Sequence, residues 1–402
     1  MRKETEKLLL DALRQSLNPQ ENRGRLQPPG GEYAKRVLME TARNHAVLPL
    51  LFDAYEGEEW IGDTRFADFM QPIRQAAVTA ARANYRLLFL AKYITQLLER
   101  EGIRAILLKG AATASYYPVP ELRKSGDVDI LIPRDKDFGR AVKLLEGAKF
   151  VKCECQSALH HVELKNQEGI CVELHRILAE PFESGKMNRY LETLLAEYDE
   201  HVQENDSWGV TFYQPADAYH AFYLIVHMLQ HFLRAGFGLK FLCDWTVFWN
   251  REIAAKEKET FLRLVRESGT QVFVEALTEA CVLYLGLAEE NVSFLLGGSE
   301  LQQLAEDFMD EVFVSGEFGH GVQERMVAMR GTGLAAYVRE FHHQMHLNYP
   351  SAGKVFLLWP FLWVTTLVRF IQNNRTVRKV KGLDILKEAR RRSKLIDRMK
   401  LF

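Results

Sequence analysis

The sequence predicts an α+β protein, with a small mixed β-sheet module embedded between N-terminal and C-terminal helical regions. Three observations carry this expectation. Apolar residues recur at three- and four-residue spacing up to about residue 101. Over residues 102–180 the pattern changes to short apolar runs with two-residue alternation, separated by turn residues and one helical stretch. From about residue 186 the helical period returns. The expected divisions are an N-terminal helical region at 1–101, an α/β core at 102–180 and a C-terminal helical region at 181–402.

Taken in order, MRKETEKLLLDALRQSL is a charged amphipathic helix without the apolar core of a signal peptide. The stretch from Ala67 is a long helix that stops at Glu101-Gly102. IRAILLKG reads as a short buried strand, and GDVDILIP as a second, closed by Pro133. DKDFGRAVKLLEGAKF follows as a helix of about three turns, with Asp135 or Asp137 near its start. KFVKCEC, LHHVELKN and ICVELHRIL then read as three strands, the last two joined by a tight turn at Asn166 to Gly169. Turn signals at NDSWG, LGGSE, RGTG and NYPSAGK punctuate the helical remainder. There is no internal repeat and no low-complexity linker.

With 47% hydrophobic and 26% charged residues, the composition is that of an ordinary soluble globular chain. Five cysteines without a CxxC pair argue against a disulfide framework and a structural zinc site, so a reducing cytoplasm is expected. The net charge of −1 is unevenly spread. Residues 375–400 hold eleven Lys/Arg against three Asp/Glu, or +8, which leaves −9 for the rest. An amphipathic last helix with a solvated charged side is expected there, with an anionic surface or nucleic acid as the functional alternative. The −9 remainder argues against a general nucleic-acid binder. VFLLWPFLWVTTLVRFI, 17 residues containing Pro360 and Arg369, falls short of the roughly 20 apolar residues of a span. A buried or interfacial helix is expected, and no transmembrane segment.

The chemistry concentrates in the mixed block. Alternation sends Val128, Ile130 and Ile132 to the core and Asp127, Asp129 and Leu131 to the opposite face. Val172 and Leu174 likewise go inward, leaving Glu173 and His175 on the other side. If these strands are neighbours, Asp127, Asp129 and Glu173 converge, and three carboxylates so placed need a cation. Hard oxygen donors at this density suit Mg²⁺ or Mn²⁺, arranged for phosphoryl displacement. Gly110, at the end of the first strand, lets a backbone approach a phosphate closely. Charge repulsion alone predicts that Asp129→Asn leaves the metal-free fold intact or stabilised.

LLKGAA, LRKSGDVDILIP, LHHVEL and VELHRIL together resemble the family of uncharacterised nucleotidyltransferases within the DNA polymerase β superfamily. That superfamily has a Gly-Ser or Gly-Gly after a first strand, then Asp-x-Asp or Asp-x-Glu, then a third carboxylate on a later strand. The resemblance implies Asp127, Asp129 and Glu173 as metal ligands and catalytic residues, and Lys109-Gly110-Ala111 as a phosphate-binding turn. It covers residues 102–180 specifically and extends loosely through HMLQHFLRAGFGLKFLCDW and YPSAGKVFLLWPFLWVTTLVRF. Two departures stand out: Ala111 replaces the hydroxyl-bearing or glycine residue, and the gap before the aspartates is longer. Lys109, Arg123, Lys124 and Ser125 can take over as phosphate contacts.

Histidines supply further candidates. His161 shares an outward face with Glu163, and His175 with Glu173, so both can meet a nucleotide or act in proton transfer. His220, His227 and His231 fall on one helical stripe, expected to face the α/β module and touch nucleotide or acceptor. A zinc site is disfavoured, because HExxH and a nearby cysteine pair are both missing. Asp244 is expected to orient one of these histidines or Lys240. His342, His343 and His346 are read as a surface helix end. Walker A, GxSxG, kinase and RNA-module signatures do not occur. The expected function is a metal-dependent nucleotidyltransferase using a nucleoside triphosphate and an unidentified acceptor: protein, RNA or small molecule. The alternative is a catalytically silent nucleotide-binding regulator or scaffold of the same fold.

Overall fold

The computed structural model describes residues 3–19, 25–153, 161–207, 209–234, 236–297, 300–316, 334–349, 352–373 and 391–401. Four N-terminal helices, α1 (Glu4–Leu17), α2 (Gly31–Asn44), α3 (Leu50–Tyr55) and α4 (Ala67–Arg100), precede the module. The module contains β1 (Ile106–Leu107), α5 (Ala111–Ala114), β2 (Asp127–Leu131), α6 (Asp135–Gly147), β3 (Val151–Lys152), β4 (His161–Lys165) and β5 (Cys171–His175). After α7 (Gly185–Glu200) comes a hairpin, β6 (Val202–Ser207) and β7 (Val210–Pro215). The remaining helices are α8 (Asp217–Arg234), α9 (Leu239–Trp249), α10 (Ala255–Ser268), α11 (Gln271–Leu285), α12 (Glu289–Val292), α13 (Glu300–Ser315), α14 (Leu334–Asn348) and α15 (Trp359–Asn373). The fold is α+β, as the periodicities predict.

The sheet runs β1-β2-β5-β4-β3. The β2–β5 pair is parallel, and β1–β2, β5–β4 and β4–β3 are antiparallel. The β4–β5 turn works through Asn166, whose Oδ1 accepts from the amides of Glu168 and Ile170 while Gly169 takes φ +78°. One sheet face carries Val128, Ile130, Leu164, Val172 and Leu174, packed with Leu88, Ile94 and Leu98 of α4 and Ala141 and Leu145 of α6. At roughly 25 cal/mol per Å² of apolar surface, this burial fixes which side of each strand faces inward. A slip of one residue in β2 would drive Asp127 and Asp129 into that apolar layer.

The hairpin β6–β7 departs from the helical period expected after residue 186. Val210 and Phe212 alternate inward to join the module's core, and Gly209 adopts φ +70° at the NDSWG turn. Alternation over this short stretch was overshadowed by the polar run from Gln203 to Ser207. His160 and Cys155 lie outside the described residues; Cys153, Cys171, Cys243 and Cys281 are free thiols.

One C-terminal expectation changes. The charged side of the last segment is not simply solvated. Residues 391–398 are helical. Arg392, 1% exposed, pairs with Glu311 of α13 at 2.8 Å, and Arg398 pairs with Asp307. Leu395, Ile396, Met399 and Leu401 join the main core with Leu9 and Leu13. The apolar stretch before the basic run is half packed: α15 buries Leu362 and Thr366 but exposes Phe361, Val364, Leu367 and Val368. No described helix is long and apolar enough to cross a membrane.

Candidate active site

In-register pairing builds one polar surface on the sheet. Asp129 lies opposite Glu173 across β2–β5, and Glu163 opposite Glu173 across β4–β5. His161 lies opposite His175 one row along. One oxygen each from Asp127, Asp129 and Glu173 fall within 4.8 Å of one another, and so do donor atoms of His161, Glu173 and His175. Helix α8 covers this surface, leaving a cleft of about 420 Å³ between them.

Lys109 and His175 answer the carboxylates. Lys109 Nζ, leaving the end of β1, sits 3.2 Å from Asp129 Oδ1. His175 Nε2 is 3.1 Å from the same oxygen and 3.2 Å from Glu173 Oε2. Burial raises the Glu173 carboxyl, but His175 and Lys109 outweigh it and hold the group down at about 2. Burial lowers His175, but its hydrogen bonds to Asp129 and Glu173 carry it above the ordinary histidine value. Burial also lowers Lys109, and the attraction of Asp129 and Asp127 more than reverses it. His161 goes the other way, with burial pulling it below the ordinary value despite Glu173. Asp129, at 0% exposure, therefore holds the Lys109 ammonium in an ion pair and a hydrogen bond to His175, so the expectation that Asp129→Asn relieves net repulsion is reversed.

The donor set fits a divalent cation. All three carboxylates are hard oxygen ligands. Asp129 Oδ2 is buried and has no hydrogen-bond partner among the described residues, which leaves it an acceptor that a cation can satisfy.

Arg123 is committed elsewhere. Its Nε and Nη2 donate to Asp244 Oδ1 and Oδ2 at 2.7 and 2.8 Å, and Nη1 donates to Ser125 Oγ at 2.8 Å. Tyr117 also donates to Asp244, at 2.7 Å. Asp244 thus orients Arg123, not a histidine or Lys240 as expected from sequence. Asn84 of α4 donates to the carbonyls of Glu121 and Arg123, pinning the same loop. The loop delivers Ser125, Gly126 and Asp127 to the cleft.

Gly110 caps the single-turn α5 with φ +68°, a backbone state that disfavours any side chain. A Cβ there would stand 3.4 Å from the Asp127 carbonyl. Ala111 begins α5, and neither it nor the exposed Lys124 lines the cleft.

On α8, His227 and His231 line the cleft with ring centroids 4.5 Å apart, and His227 Nε2 is 3.5 Å from Lys109 Nζ. They form no three-ligand metal group among the described residues. His220 is not on the cleft. It is fully buried, its Nδ1 3.0 Å from the Tyr116 hydroxyl, which accepts from Gln214 and so can donate to a neutral imidazole. Burial first, then Arg251, pushes His220 down to about 3.

That displacement has a measurable consequence. With its folded pKa below the unfolded value near 6.5, His220 contributes stability in full above about pH 6.5 and loses it as pH falls towards 3. His220→Gln is expected to flatten the decline of unfolding free energy between pH 6.5 and 4.5 by up to about 1.4 kcal/mol per pH unit. Urea titrations at pH 7 and 5 measure this; parallel slopes for parent and variant contradict it.

The profile of the family described as uncharacterised nucleotidyltransferase matches residues 34–286. The chain belongs to this nucleotidyltransferase family. The matched segment contains the whole sheet, the three carboxylates and α8. A solved structure, an antigenic nucleotidyltransferase-like protein from Paracoccidioides brasiliensis, is 14% identical with a TM-score of 0.32, covering 54% of this chain and 96% of that one. No curated protein matches the chain.

In this nucleotidyltransferase-family chain the cleft is also lined by residues that sequence reading passed over. Tyr223, Gln230 and Arg234 line it from α8, and Glu180 from the segment before α7. Tyr223 precedes His227 by four residues, and Arg234 follows His231 by three. Extending the histidine stripe by helical neighbours would have found them.

Proposed function

We propose that the protein is a metal-dependent nucleotidyltransferase that moves a nucleoside monophosphate from a nucleoside triphosphate to an acceptor. The observation that carries this is the register of β2 on β5, which brings Asp127, Asp129 and Glu173 together, with Asp127 and Glu173 lining a cleft walled by basic and imidazole side chains and Asp129 buried behind them. Asp127 and Asp129, with Glu173, are suited to hold Mg²⁺ or Mn²⁺, which would supply charge neutralisation at the reacting phosphate. A bond forms between an acceptor oxygen and the α-phosphorus, the bond to the β-phosphate bridge breaks, and pyrophosphate leaves. Glu173, ionised at neutral pH, orients the acceptor and takes its proton.

Lys109 and the Gly110 turn face the triphosphate, with Ser125 and Lys240 on the same rim. Arg123 acts through Ser125 and the loop it anchors. Ala111 sits behind the turn as the first residue of α5. His161, His175, His227 and His231 bound the space for base and acceptor. Catalysis of this kind is mostly positioning and charge complementarity.

One observation favours the silent-regulator reading: the Lys109 ammonium sits 3.2 Å from Asp129, where an incoming cation must compete with it. Two measurements separate the readings. Mg·NTP is expected to raise the melting temperature, worth about 2.7 kcal/mol at a hundredfold excess over the dissociation constant. Labelled NTPs with Mg²⁺ or Mn²⁺ and cell lysate are expected to show label transfer and pyrophosphate release. A melting shift without transfer favours the regulator. Unchanged melting with all four NTPs counts against both.

A further inference from the structure

Eight large apolar side chains between Val355 and Val368 are exposed, the strongest cluster of its kind among the described residues. Leu357 is 86% exposed, Phe356 70% and Phe361 68%. Within α15, Phe361, Val364 and Val368 follow one another at three- and four-residue spacing, with Pro360 and Leu367 flanking the same side. The opposite side is fixed. Leu362 and Thr366 are buried, Trp363 Nε1 donates to His342 Nδ1 of α14 at 3.2 Å, and Trp359 Nε1 donates to the Gly353 carbonyl at 2.7 Å. The helix is thus anchored with a coherent apolar stripe turned outward.

The charge around this stripe says what it fits. Arg369 stands at its end, and residues 375–390 carry six Lys/Arg against two Asp/Glu. The next basic residues are used internally: Arg391 and Arg392 pair with Glu311, and Arg398 with Asp307. An apolar stripe of Phe, Leu and Val followed directly by a net +4 stretch matches a helix lying in the interface of an anionic bilayer. A second copy of the chain fits less well, because it would bring the same net positive sequence and no complementary charge. Spanning does not fit either, given the length of the helix, Pro360 and Arg369.

We propose that the outward face of α15, with the turn Phe356–Leu358 before it, docks the protein in the plane of an anionic lipid surface. The net positive charge of the sequence over residues 375–390 favours an anionic surface over a neutral one. The inference is independent of the cleft and of any nucleotidyl transfer.

The test is sedimentation of the full chain with phosphatidylcholine vesicles, with and without phosphatidylserine. The parent is expected to co-sediment with the phosphatidylserine vesicles, to release in high salt, and to show a blue shift in tryptophan emission. Leu357→Glu/Phe361→Glu changes only exposed positions and is expected to lower lipid affinity at least about tenfold with unchanged melting temperature. Arg378→Gln/Lys379→Gln/Lys381→Gln is expected to lower it about a hundredfold on anionic vesicles. Equal binding to both vesicle types, or none to either, overturns the proposal. So does a dimer, seen by light scattering, that the Leu357→Glu/Phe361→Glu variant dissolves, because the face is then a self-association surface.

Discussion

Asp127→Asn is expected to cut nucleotidyl transfer by about 10³-fold or more while leaving the melting temperature close to the parent's. Asp127 is half-buried at the lip of the cleft, so the amide has access to solvent and the fold loses little. Asp129→Asn is expected to lose transfer equally and also to destabilise the protein by several kcal/mol, near the cost of removing one partner from a buried ion pair. Its carboxylate is fully buried and answers both Lys109 and His175, which the substitution leaves without that charge. Rates from pyrophosphate release, read beside urea unfolding, check both halves. Full activity of either variant, or of the parent in excess chelator, would sink the metal-dependent mechanism. An Asp129→Asn protein as stable as the parent would contradict the ion-pair reading alone.

Asp244→Ala is expected to cost about 3–5 kcal/mol of stability. Arg123 and Asp244 form a two-bond pair with both side chains almost wholly buried, and Tyr117 donates to the same carboxylate. Removing the carboxylate strands a buried guanidinium, whereas Arg123→Met/Asp244→Leu removes both charges and is expected to be much milder. Because this pair holds the loop that delivers Ser125 and Asp127, both variants are expected to turn over more slowly even where folded. Chemical denaturation of the two proteins decides it. A single variant within 1 kcal/mol of the parent in stability contradicts the claim.

Much of this was legible in the chain because it is local. Two-residue alternation in GDVDILIP and ICVELHRIL sorts carboxylates from core residues without tertiary knowledge, and the structure places these strands side by side in register. The β4–β5 turn is equally local, since Asn166 and Gly169 are the residues that such a turn demands. What stayed hidden depends on partners far apart in sequence. Nothing in RKSG or LCDW announces that Arg123 and Asp244 meet across 121 residues. The stripe on α8 was read correctly as a face, yet burial splits it, with His227 and His231 on the cleft and His220 beneath it against Tyr116. The partners of Asp129 were also invisible, because Lys109 arrives from an antiparallel neighbour and His175 from a parallel one.

The seating of Leu395, Ile396, Met399 and Leu401 beside Leu9 and Leu13 bears on how the protein comes to be folded in a cell. The helical body cannot close its interior until residue 401 has cleared the ribosome, although the apolar sheet face that packs on α4 and α6, with Val210 and Phe212 of the β6–β7 hairpin, has its partners once residue 215 has emerged. The interval between those two moments is about ten seconds or more at ordinary elongation rates, during which α8 to α13 wait with open apolar sides. A chain built this way matures in two stages, with the sheet and its α4–α6 layer early and the surrounding body late. Its yield depends on what shields that unfinished body from its neighbours in the meantime.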